Sequence, residues 1–204
     1  MPDDIKTREE LEAHYGQPMG YLGEKEKPAL SQHCKDFIAL SPFCVIASSA
    51  AGDGPADCSP RGDAPGFVHI LDDTTIAIPD RPGNRRTDTF HNLMENSEIA
   101  IMFMVPGLNE VLRLNGKARL TAEPELLGTM AFNGKLPRAA MVIDIRYVYF
   151  HCGKAVVRAD LWNQDKKLAK GEFPTLGQIN AAWYDADAEE IDARYADEIK
   201  TKLY

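Results

Sequence analysis

From Phe43 to Phe150 the chain alternates apolar runs of strand length with turns that are mostly too short to carry a crossover helix. That spacing restricts how its strands can pair. FCVIAS (43–48) is followed by the turn AAGDGP and a returning stretch, ADCSPRG. FVHIL (67–71) and TTIAI (74–78) flank Asp72-Asp73, and IAIMFMV (99–105) passes through Pro106-Gly107-Leu108-Asn109 into VLRLNGKARLT (111–121). AMVIDIRYVYF (140–150) is the last long run. Hairpin-length connections go with antiparallel pairing, because parallel neighbours need a crossover of a dozen or more residues. The spacing therefore predicts an α+β, mainly β chain built as an antiparallel barrel with peripheral helices.

Helical periodicity lies outside and between these runs. Thr7 and Glu10 have capping-box spacing and predict a helix over 8–15. Leu30, Cys34, Phe37 and Ile38 predict one from Pro28 to Leu40, stopped by Ser41-Pro42. Phe90, Leu93 and Met94 place a third over 87–95, and Pro124 opens a short one to about Met130. Residues 153–204 read as polar and helical. A length of 204 residues suits one domain with extensions and a core that needs no staples.

The formal net charge of −8 argues against a general nucleic-acid binder and against a polybasic membrane contact. No apolar run reaches the ~18 residues of a spanning helix, and the charged start MPDDIKTREELEAHYG lacks the apolar core of a signal peptide. Cys34, Cys44, Cys58 and Cys152 form no CxxC pair, so they read as reduced thiols, with no metal site expected, in a cytoplasmic protein.

Against that acidic background, RPGNRRTDTF (81–90) gathers Arg81, Arg85 and Arg86 around a Pro-Gly-Asn turn between a strand and a helix. Amides at a helix start lack internal partners and the helix dipole favours anions there. Arginine forks hold phosphate in bidentate fashion, Gly83 allows close backbone approach, and Asn84 adds amide donors. The loop reads as a site for one phosphate monoester, with Arg81, before Pro82, pointing outward. The other reading is a solvated turn whose arginines pair with Asp80 and Asp88. No GxGxxG or Walker pattern is present.

CSPRGDAPGFVHILDD, TIAIPDRPGNRRTDTFHNLMEN, EIAIMFMVPG and LRLNGKARL together resemble the pyridoxamine 5'-phosphate oxidase-related family of FMN-binding split-barrel proteins. HCGKAVVRADLW (151–162) is similar to the closing segment of one branch of that family, and the likeness spans about 35–165. The resemblance implies a six-stranded antiparallel split β-barrel of Greek-key type, a homodimer with FMN in clefts at the subunit interface, and flavin redox chemistry on a small-molecule substrate. It divides the single domain into a helical extension (1–40), an FMN-binding barrel (41–162) and a C-terminal helical appendage (163–204). It maps the phosphate onto Asn84, Arg85 and Arg86, the ring onto Ile78, Pro79 and Asp80, and a nearby basic residue onto Arg61. The ending IDARYADEIKTKLY lacks the basic, His-containing signature with which the oxidases grip the vitamin phosphate.

Arg113 and Asn115 share one strand face, with Leu112, Leu114 and Gly116 on the other; the polar pair meets the flavin, the partner subunit or solvent. His151 reads as a proton donor or a structural histidine, and Lys154 as a counter-charge to the reduced flavin. Trp162 and Trp183 either stack on the ring or pack elsewhere. Three readings follow: an FMN-dependent oxidoreductase, a non-catalytic flavin or heme binding module, and a dimeric scaffold with a vestigial site.

Overall fold

A computed structural model describes residues 4–17, 20 and 24–204. Strands β1 (Phe43–Ser49), β2 (Ala56–Gly62), β3 (His69–Ile70), β4 (Thr75–Pro79), β5 (Glu98–Met104), β6 (Val111–Thr121) and β7 (Ala140–His151) form one sheet. Its order is β2-β1-β5-β6-β7-β4-β3, and every neighbouring pair is antiparallel. The structure is thus mainly antiparallel sheet with several helices, as the short turns require.

Two details differ from expectation. The sheet has seven strands, and its hydrogen-bonded order runs from edge to edge without closing. The run FVHIL supplies only His69 and Ile70 to pairing, because Phe67 and Val68 turn into the core, where Phe67 N–H donates to the Ala64 carbonyl at 3.1 Å.

Strand alternation sets the core. Cys44 and Ile46 of β1, Ile99, Ile101 and Phe103 of β5, and Leu112, Leu114 and Ala118 of β6 are buried together on one face. Proline sits only where the ladder tolerates it: Pro60 is in edge strand β2, and Pro79 ends β4 beyond the two residues that β3 pairs. The β6–β7 ladder slips at Asn115/Gly116. At Gly116 the partner backbone comes so close that any Cβ would meet the Asp144 carbonyl. Gly116→Ala is therefore expected to lower stability by about 1–3 kcal/mol in urea unfolding, the usual range for overpacking. A loss under about 0.5 kcal/mol, ordinary for an exposed site, would contradict this account.

Helix α1 (Arg8–Tyr15) begins at the expected Thr7–Glu10 capping box. Helix α2 (Gln32–Leu40) starts four residues after Pro28. Lys27 instead bridges to Val148, Leu30 N–H reaches the Asp73 carbonyl at 2.7 Å, and Ser31 takes the cap. Helices α3 (Asp88–Glu95), α4 (Pro124–Thr129), α5 (Lys154–Ala159), α6 (Leu176–Trp183) and α7 (Ala188–Thr201) follow. The last two form a hairpin in which the Asp192 carboxylate accepts from Gly177 N–H at 2.8 Å and from the Thr175 hydroxyl at 2.5 Å. No helix among the described residues is long and apolar enough to cross a membrane.

Candidate functional site at the arginine loop

Polar contacts seat α3 across β1 and β2. Asn92 donates to the Ser48 hydroxyl at 3.1 Å, Asn96 to Ser49 at 3.2 Å, and buried Thr89 to the Asp57 carboxylate at 2.6 Å. This seating fixes where the helix begins and so where the preceding loop lies. Thr87, at the N-cap, makes no side-chain cap hydrogen bond, which leaves first-turn amides available to an anion.

The loop itself is exposed. Asn84 Oδ1 accepts from Arg86 N–H at 2.9 Å, which curls the chain. Arg85 sits at φ 62, the left-handed region, at a cost of about 1–2 kcal/mol for a residue with a Cβ. Its guanidinium has no hydrogen-bond or ion-pair partner among the described residues. Arg86 Nε donates to Asp88 at 2.6 Å, part of the solvated-turn reading, although its side chain remains 77% exposed. Arg61 reaches toward the same place, with Nη2 3.5 Å from the Thr89 hydroxyl and Nη1 on its neighbour's carbonyl, Pro60, at 2.8 Å.

Beneath the loop, Ile78 and Pro79 are buried, and Asp80 N–H donates to the Ala139 carbonyl at 2.8 Å. Burial raises the Asp80 carboxyl above its ordinary range, while the charges of Arg61 and Arg138 pull it back only in part. Arg61, Asp80, Asn84, Arg85 and Arg86 thus fall around the start of one helix.

Arg81 departs from the expected outward position. Its Nε donates to Asp63 at 2.6 Å and its Nη1 to the Met130 carbonyl at 2.9 Å, with the side chain only 18% exposed. A local reading of Arg-Pro gives no hint of partners so distant in sequence.

A second group lies on the outer face of β6 and β7. Arg113 and Asn115 do share a face, and their cross-strand partners are Tyr149 and Tyr147. The Arg113 guanidinium lies 5.2 Å from the Tyr149 ring centre, and Lys25 Nζ lies 4.3 Å from it. His151, farther along the face, is held below its ordinary value by burial first and then by the charges of Lys25 and Arg113. Its Nδ1 and the Asn115 Oδ1 are buried without hydrogen-bond partners among the described residues. Lys154, at the start of α5, is exposed. Among the described residues, no hydrogen bond or ion pair joins this group to the arginine loop.

The remaining candidates fall elsewhere. Trp162 donates Nε1–H to the Leu108 carbonyl at 2.7 Å and packs on that turn. Trp183 is 72% exposed on α6. Cys34 and Cys44 are buried, the latter with its thiol pushed up to about 12 by burial, while Cys58 and Cys152 are exposed. Two cavities of about 450 and 400 Å³ flank α5 and the turn after it, and neither is lined by the arginine loop. Sequence reasoning missed Thr89, Asp57, Arg138, Lys25 and Tyr149. Only their three-dimensional neighbours mark them.

A family model described as pyridoxamine 5'-phosphate oxidase matches residues 30–152. The chain belongs to that family. Among solved structures it is similar to HupZ of Group A Streptococcus, with 19% identity over 59% of this chain and 93% of that one and a TM-score of 0.49. It is also similar to General Stress Protein 26 of Bacillus anthracis (11% identity, 58% of this chain, 94% of that one, TM-score 0.43). A third likeness is to an FAD binding protein of Mycobacterium smegmatis (12% identity, 61% of this chain, 97% of that one, TM-score 0.42). The comparison with curated proteins finds no match.

Proposed function

We propose that this protein is an FMN-dependent oxidoreductase acting on a small molecule in the cytoplasm, with each flavin in a cleft between two copies of the chain. The observation that carries the reading is the arginine loop, an unpartnered Arg85 and an exposed Arg86 at an uncapped helix start, in a chain of the pyridoxamine 5'-phosphate oxidase family. Asn84, Arg85 and Arg86, with Arg61 beside them, hold the phosphate. Ile78, Pro79 and Asp80 run along the ring and offer backbone groups to it. Arg113, Asn115 and Lys154 reach the flavin from the second copy. The bound cofactor supplies hydride or electron transfer at its N5. The chain's own part is to anchor, orient and tune. Burial first and then the charges of Lys25 and Arg113 lower the His151 pKa, which disfavours the proton-donor role and favours the structural one. The barrel at 41–162 carries these residues; 1–40 and 163–204 flank it.

Surface area supports the second copy. The protomer exposes 14039 Å², against about 9,500 Å² for a compact monomer of its mass. Obligate dimers remove about 1,000–2,500 Å² per subunit, so a C2 dimer covers a good part of the excess. Light scattering is expected to give a dimer, and a micromolar monomer that retains FMN would overturn the shared cleft.

The cofactor is tested by fluorescence quenching with FMN and riboflavin. An arginine phosphate site should favour FMN by about tenfold or more, since hydrogen bonds to charged groups are each worth about 1.5–3 kcal/mol. Equal affinities would remove the phosphate role. Turnover with NAD(P)H and oxygen or a quinone separates the oxidoreductase from a flavin or heme binding module that transfers no electrons.

A further inference from the structure

Arg81 belongs to the arginine loop by sequence, yet among the described residues its side-chain hydrogen bonds, ion pair and ring contacts all lie outside the loop. Asp63, just beyond β2, is the hub. Its Oδ2 accepts from Arg81 Nε at 2.6 Å, and its Oδ1 accepts from the Tyr204 hydroxyl at 2.6 Å and from Ala64 N–H at 2.7 Å. The carboxylate is only 2% exposed. A charge so withdrawn from water persists when it is paired and hydrogen-bonded, and here three donors, one of them a guanidinium, reach it. Burial by itself would raise the Asp63 carboxyl, but the Tyr204 hydroxyl, the Ala64 amide and Arg81 outweigh it and hold it below its usual range.

Tyr204 is fixed from two further sides. Its ring stacks on Phe132, with centroids 4.2 Å apart at 28°, and its carbonyl accepts from Lys135 Nζ at 2.6 Å. The Arg81 guanidinium lies 5.9 and 5.8 Å from the Phe132 and Tyr204 ring centres. Phe132 and Lys135 bridge each other across the turn at Asn133-Gly134 after α4. Four segments distant in sequence therefore meet at the first residue of the loop.

The loop has little else to hold it there. Among the described residues, the hydrogen bonds of Pro82 to Thr87 stay within the loop or go to α3. At its leading end, the Asp80 amide holds the Ala139 carbonyl at 2.8 Å, and the Arg81 side chain ties it to Asp63, Met130 and, through Asp63, to Tyr204.

We propose that Asp63, Arg81 and Tyr204 form a latch that positions the anion-binding loop, with the segment after α7 acting as its bolt. These are positioning residues: Arg81 turns its Nε to Asp63 and its Nη1 to the Met130 carbonyl, and its part is to hold the loop rather than the phosphate. The role assigned to the loop rests on the flavin reading above; the latch itself does not.

Hydrogen–deuterium exchange on the full chain without added flavin tests the latch, and FMN titration tests what it serves. Tyr204→Phe keeps the stack and deletes only the hydroxyl; Asp63→Asn keeps the shape and deletes the charge. Each should speed exchange at 80–87 by about tenfold or more, the worth of one charge-assisted hydrogen bond, with β6 and β7 unchanged. FMN affinity should fall by about three- to tenfold, since part of the binding energy then goes to ordering the loop. Unchanged exchange at 80–87 would overturn the latch, as would acceleration spread evenly through the sheet. A loosened loop with unaltered FMN affinity would overturn positioning. A wild-type protein that takes up no FMN, with local loosening intact, would remove the flavin reading and leave the latch standing.

Discussion

Arg81→Ala is expected to destabilise the protein by about 3 kcal/mol, the low end for breaking a buried ion pair, and to lower its thermal midpoint by roughly 6–12 °C. Most of that loss comes from what is left behind. Asp63, 2% exposed, keeps its negative charge and the Tyr204 hydroxyl but loses its cation, and the Met130 carbonyl loses its donor. A double-mutant cycle isolates the cause. In Arg81→Ala/Asp63→Asn the orphaned charge is gone, so the pair should cost clearly less than the two single losses added together. Additive losses would mean that the two side chains act independently and that the 2.6 Å contact carries no energy. Arg85→Ala is the control: its side chain has no partner among the described residues, and its midpoint should stay within the range of ordinary surface substitutions.

The contrast between Arg81 and its neighbours also marks how far local pattern carries. Alternation in VLRLNGKARLT places Leu112 and Leu114 inward and Arg113 and Asn115 outward, because a strand has a period of two and the core takes one face. The capping box at Thr7 and the helix after the arginines are equally local, and both form. What the sequence conceals depends on partners far away along the chain. Asp63 precedes Arg81 by 18 residues and Tyr204 by 141, and neither spacing leaves a periodic trace. Ser31 outcompetes Pro28 as a helix start because the intervening segment pairs with β7 and with the turn at Asp73, tertiary contacts that no propensity contains. The need for glycine at 116 arises likewise from the Asp144 carbonyl on another strand. Within the candidate site, Asn84, Arg85 and Arg86 are legible because loop and helix are contiguous. The Lys25–Tyr149–Arg113 stack is not, because it assembles residues from three separate segments.

Arg85→Ala and Arg86→Ala should each weaken FMN binding by roughly 10- to 150-fold while leaving the fold intact, since each removes charge-assisted hydrogen bonds to a phosphate dianion. The ion pair of Arg86 with Asp88 does not stand in the way. Both side chains are largely exposed, and such pairs contribute about 0–1 kcal/mol, less than a bidentate phosphate contact returns. Arg86 lies nearer the helix start and should matter at least as much as Arg85. Arg85 carries a separate signature: its left-handed backbone disfavours any residue with a Cβ, so Arg85→Gly relieves strain and removes the guanidinium together. That variant should bind FMN as poorly as Arg85→Ala without being less stable. Arg81→Ala sorts differently, with its larger defect in unfolding and a smaller one in affinity that follows from the loosened loop. If phosphate contacts hold the ligand, raising salt should narrow the gap between wild type and the Arg85 and Arg86 variants, because screening weakens the shared charge term. A solvated turn predicts affinities within about twofold across all three alanine variants, consistent with surface pairs of little worth, and that result would remove the anion site from this loop.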